Sequence, residues 1–103
     1  MATLYVTAPP SAATDLAATL VEERLAACVN RVPCRSTYRW DGEVVENDPE
    51  ELLFVKTSED RVEETEARIE ALHPYDTPCI ERFEENAVSD AFGEWVAAST
   101  TPE

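Results

Sequence analysis

The chain has 103 residues, with 22 acidic residues against 8 basic ones and a formal net charge of −14. That length holds one domain, and the charge excludes nucleic acid and anionic membrane as partners, because affinity for phosphate comes from clustered Lys and Arg. No run approaches the roughly 20 apolar residues that cross a bilayer, and the start, Met1 to Val6, lacks the basic and apolar regions of a signal peptide.

A single domain over residues 1–103 in the cytoplasm is therefore expected; there is no repeat, linker or shift in composition. Lys56 is the sole lysine, the other basic residues being arginines. Self-repulsion of so acidic a chain weakens its compact state in dilute buffer. At molar salt the Debye length falls to about 3 Å and the repulsion is screened. Acidity together with the near-absence of lysine leads us to expect a halophilic protein, and a loss of stability on raising KCl would exclude this. Three cysteines, Cys28, Cys34 and Cys79, form no C-x-x-C pair and are too few for a disulfide scaffold. Reduced thiols are expected.

Thr3 to Thr7 reads as a first strand, being β-branched and aromatic. Ala8-Pro9-Pro10-Ser11 turns into a first helix over Ser11 to Arg24, with Ala13, Leu16, Ala17, Leu20, Val21 and Arg24 at helical spacing. An extended segment follows from Cys28, with Pro33 indicating an edge or a bulge. Cys34 to Trp40 alternates as a strand, and Asp41-Gly42 is a hairpin signal. The return strand begins at Glu43, is interrupted by the polar run Glu46 to Glu51 and resumes at Leu52 to Val55 as a strand buried on both faces. Thr57-Ser58 caps a second helix over Glu59 to Leu72, ended by Pro74. Cys79 to Glu84 reads as a fourth strand. Val88, Ala91, Phe92 and Trp95 stripe a short C-terminal helix. This order is the α+β, ferredoxin-like βαββαβ sandwich with an extra helix, both main helices lying on one face of the sheet.

These residues carry a resemblance. Thr7-Ala8-Pro9, the stretch Leu20 to Asn30, Ser36-Thr37-Tyr38-Arg39-Trp40-Asp41-Gly42, Lys56-Thr57 and His73-Pro74-Tyr75-Asp76-Thr77-Pro78 stand in the order and spacing of the CutA family. The chain resembles that family along almost its whole length. The resemblance implies a PII-like homotrimer, strands that pair across subunits, and a link to copper or another divalent cation. An open sheet with exposed edges gives an independent reason to expect a closed ring. The chain departs from the family at Val6 and Leu72, where bacterial members carry cysteine and histidine, and at Cys34, Glu43 and Cys79. Of the copper site proposed for those relatives, His73 alone remains.

His73, Cys28 and Cys79 are the candidate metal residues: imidazole and thiolate are the common transition-metal ligands. His73 has a structural alternative, capping the second helix, and Cys28 another, as a small buried hydrophobe. Cys34 and Cys79 stand on opposite edges of the expected sheet, where a neighbouring subunit brings them together as a dithiolate site or a disulfide; two unrelated small substitutions are the plainer reading. Tyr38, Trp40, Lys56 and Tyr75 are candidates for a ligand cleft at a subunit boundary, with interface packing the alternative for Trp40 and an ion pair for Lys56. The acidic residues Asp48, Glu50 and Glu51 read as a solvated face. No nucleophile–base signature, P-loop or dinucleotide fingerprint is present. Metal binding therefore ranks first, a metabolite-binding regulatory trimer second and an enzyme last.

Overall fold

The computed structural model describes residues 1–102. Its elements in chain order are β1 (Ala2–Ala8), α1 (Pro10–Glu22), β2 (Cys28–Trp40), β3 (Glu43–Thr57), α2 (Val62–Leu72), β4 (Ile80–Glu84) and α3 (Asp90–Ser99). They form the expected α+β fold, with one antiparallel sheet in the order β2-β3-β1-β4. Among the described residues no helix is long and apolar enough to cross a membrane.

Alternation sets the two faces of the sheet. Leu4 and Val6 of β1 stand opposite Val55 and Leu53 of β3, and all four are fully buried beneath the helices. Ala13, Leu16, Ala17 and Leu20 of α1 cover them, with Val62, Thr65 and Ile69 from α2. Val21, read as part of the α1 stripe, points off it and is exposed. α1 also ends earlier than expected. Arg24 adopts φ 61°, the Arg24 amide bonds the Val21 carbonyl and the Leu25 amide bonds the Leu20 carbonyl. This is a Schellman ending, with buried Leu20 and Leu25 as its apolar pair.

Thr57 and Ser58 do not cap α2, which begins at Val62 after a turn. The Thr57 hydroxyl donates instead to the Leu25 carbonyl at 2.7 Å. The Ser58 hydroxyl meets Thr100, one turn beyond Val96, and these two residues dock α3. The stripe read through Trp95 is thus displaced by one residue: Val96 is buried, whereas Trp95 is exposed and stacks on Phe92 with centroids 5.6 Å apart.

β2 and β3 form one long hairpin. Asp41 (φ 52°) and Gly42 (φ 81°) are its two-residue turn, both left-handed as a type I′ turn requires. β3 is not interrupted at Glu46 to Glu51. It carries a β-bulge there: Glu46 and Asn47 face Thr37 alone, and Asn47 takes φ 55° to admit the extra residue. Pairing with β1 begins only at Glu51, so the outer half of β3 projects beyond the sheet with one edge open. Leu52 and Phe54 are half-buried rather than buried on both sides, because within one chain nothing covers the second face of the sheet. Tyr5, Phe54 and Phe83 cluster on it, with Tyr5 at 5.8 Å from Phe54 and 6.1 Å from Phe83.

Candidate functional site

A cavity of about 590 Å³ opens where the outer part of the hairpin, from Ser36 to Trp40 with Glu50, meets the loop after α2. One histidine ties the loop on one side of it to β1. The His73 Nε2 lies 2.7 Å from the carbonyl oxygen of Thr7, and a carbonyl only accepts, so Nε2 carries the proton and donates. Nδ1 then accepts the Tyr75 amide at 3.2 Å. His73 is 7 % exposed and its ring lies 4.8 Å from that of Tyr75. It pins the loop to the end of β1, as a structural residue of a kind different from the helix cap considered above.

Tyr75 reaches across to β3. Its hydroxyl donates to Glu50 Oε2 at 3.0 Å, and Glu50 is only 5 % exposed. Burial first, and then this hydrogen bond, push the Tyr75 phenol well above its ordinary range. On the hairpin, the Tyr38 hydroxyl donates to Asp48 Oδ2 at 2.7 Å, across the bulge. That bond pushes the Tyr38 pKa up to about 12. Both phenols stay protonated at neutral pH. Trp40, exposed near the hairpin turn, joins the wall.

Tyr38, Trp40 and Tyr75 thus come together as a cleft. Lys56 does not join them. It stands at the far end of the sheet, with its Nζ 3.4 Å from the Thr3 hydroxyl, which itself meets Glu85. Glu50 is not part of a solvated face: β3 runs unbroken through it, so its alternation with Leu52 and Phe54 carries back and puts its carboxylate in the cleft wall. Thr7, Asp76 and Cys79 also line the cavity.

The metal candidates do not converge. Cys28 pairs in register with Lys56 beside Thr3, whereas His73 and Cys79 stand at the Thr7 end of β1, about 13 Å further along the strand. Burial raises the thiol pKa of both Cys28 and Cys79, and the Glu81 carboxylate 3.6 Å from Cys79 raises it further, which opposes the thiolate a metal takes. Both ring nitrogens of His73 are engaged. Among the described residues no group of three or more His, Cys, Asp or Glu could hold an ion. Within one chain the residues do not fit a copper centre. Cys34 and Cys79 lie at opposite edges with β3 and β1 between them, roughly 14 Å at the usual strand spacing, beyond the roughly 7 Å span of a disulfide. All three thiols are free.

The pattern of the whole chain settles its kinship. The family model described as CutA1 divalent ion tolerance protein matches residues 2–99. The chain belongs to the CutA1 divalent ion tolerance family. It is 39% identical over 101 residues to the divalent-cation tolerance protein CutA of Pyrococcus horikoshii, covering 97% of this chain and 98% of that protein. It is 41% identical over 99 residues to the chloroplastic CutA of Arabidopsis thaliana, covering 94% of this chain but 54% of the plant protein, so the chain spans about half of that relative. Among solved structures, the PII-like CutA of Nostoc superposes with a TM-score of 0.94 at 33% identity, covering 100% of both chains. The CutA1 fold is thus PII-like here too.

Proposed function

We propose that this CutA1 chain works as a non-catalytic homotrimer in the response to divalent cations, and that it does so by binding a small ligand in the Tyr38–Trp40–Tyr75–Glu50 cleft. The observation that carries this reading is the cleft itself: a cavity of about 590 Å³, within the usual range for small-molecule sites, whose walls are set by specific hydrogen bonds. The trimer is supported by the open edge of the outer hairpin and by the uncovered aromatic face around Tyr5. Light scattering should return three times the mass of one chain. A screen of small metabolites by thermal shift in the presence of a chelator tests the cleft: a hit raises Tm and Tyr75→Ala removes the gain. A Tm that responds only to metals, indifferent to Tyr75, overturns it.

The second reading is direct copper binding by the assembled trimer. One observation favours it: Cys28 and Cys34 share the uncovered face of the sheet, beside Lys56 and Glu50 in register, with Cys79 at the opposite edge, so thiols of different subunits could meet. His73, Cys28 and Cys79 remain its candidate ligands. A Cu(I) titration of the oligomer checks it. Binding near one metal per subunit, weakened about tenfold by Cys28→Ser or Cys79→Ser, supports this reading; binding indifferent to both removes it.

A further inference from the structure

We propose that the cleft selects a small organic cation, an alkylated or quaternary ammonium compound; this rests on the cleft being the ligand site. Three features converge. The first is charge. Glu50 and Asp76 line the cavity, Asp48 stands behind Tyr38, and among the described residues of the chain no lysine, arginine or histidine lines it.

The second is the state of Glu50. The side chain is 5 % exposed, and the group it meets is the neutral phenol of Tyr75. A carboxylate withdrawn from water without a cationic partner is costly to keep. A cation entering the cavity supplies that partner.

The third is the aromatic wall. Tyr38, Trp40 and Tyr75 surround the same space. Aromatic faces attract cations within about 6 Å, and groups of them are the usual means of recognising methylated ammonium. Each phenol donates a hydrogen bond to a carboxylate. Donation leaves the oxygen and ring richer in electrons, which strengthens that attraction.

The same walls select against a metal ion. A hard cation such as Ca²⁺ takes about six to eight oxygen ligands, and a softer one takes about four nitrogen or sulfur ligands. The cavity offers two carboxylates, one already engaged by a phenol. An alkylammonium head asks for less: one charge nearby and apolar contact around it.

The test compares two probes on the purified full chain with a chelator present: choline, and its carbon isostere, in which a tert-butyl group replaces the trimethylammonium group. Calorimetry and tryptophan fluorescence read binding. Choline should bind at least tenfold more tightly than the isostere, and Glu50→Gln should bring the two together. Because that comparison is first made on the unmutated chain, a folding defect of the variant cannot mask the result; Asp76→Asn, on the exposed loop, serves as a second variant with a smaller loss in the same direction. Equal binding of both probes overturns the cation while leaving the cleft reading standing. Binding of neither overturns the cation as well, and the metabolite screen then judges the cleft separately.

Discussion

His73 holds a loop against the end of a strand by using both of its ring nitrogens. Replacing it with alanine leaves the Thr7 carbonyl and the Tyr75 amide without their partners. An unsatisfied buried group costs about 1–3 kcal/mol, so His73→Ala should lower stability by that order in denaturant titration. It should also loosen the cleft, since Tyr75 is released. Tyr38 gives a pH signature. Its hydrogen bond to Asp48 exists only in the protonated phenol, whose pKa in the folded chain is about 12 against an ordinary 10.0. A raised pKa contributes stability below the unfolded value and loses it as pH climbs through the folded one. The stability advantage of the natural chain over Tyr38→Phe should therefore be full below about pH 10 and vanish by about pH 12. An advantage that persists above that window would remove the Asp48 bond as its cause.

Between α1 and the sheet, a single carbonyl ties two elements together. Leu25 O accepts the Thr57 hydroxyl at 2.7 Å from β3 and the Thr65 hydroxyl at 2.9 Å from α2. Thr57→Val removes a good bond, about 1 kcal/mol, and Thr65→Val less, because the Thr65 hydroxyl is shared with the Arg61 carbonyl. The double variant should cost more than the sum, since only then is the Leu25 carbonyl left with neither hydroxyl. Additive costs would argue that the two hydroxyls act separately. Elements of this size were largely legible in the sequence. The Asp41-Gly42 turn demands left-handed backbone from residues that tolerate it, so the hairpin was readable locally. The bulge at Asn47 was not: an extra residue in one strand is defined by its partner, and the pattern read alone looks like an interruption. The α3 stripe failed for a similar reason. Val96 is chosen over Trp95 by where β3 ends and not by the spacing within the helix.

At the scale of the molecule, charge dominates. With a net charge of −14 the chain repels itself at low ionic strength. Thermal melts in rising KCl should show Tm climbing toward molar salt, where the Debye length is about 3 Å; a falling Tm would argue against adaptation to high salt. The cleft was partly legible at this scale. Its aromatic residues, Tyr38, Trp40 and Tyr75, were named from type and neighbourhood, but Glu50 and Asp76 reach it through register and loop path, which no local pattern contains. Within one chain Lys56 stands apart from that cleft, beside Thr3, because adjacency to a buried strand says nothing about which end of the sheet is meant.

The position of β1 has a consequence for synthesis. β1 precedes both of its partners in the chain and lies between them in the sheet, with β3 on one side and β4 on the other. During translation Ala2–Ala8 emerges long before either neighbour exists. One side is satisfied once residues through Thr57 have emerged from the ribosome, and the other waits for Ile80 to Glu84. Until then the ribosome holds a short apolar strand with free edges, the state most prone to pairing with the wrong chain. A released chain truncated before Ile80 would present a sheet that lacks its fourth strand, and such truncated chains should be captured by chaperones far more than the chain that carries Ile80 to Glu84.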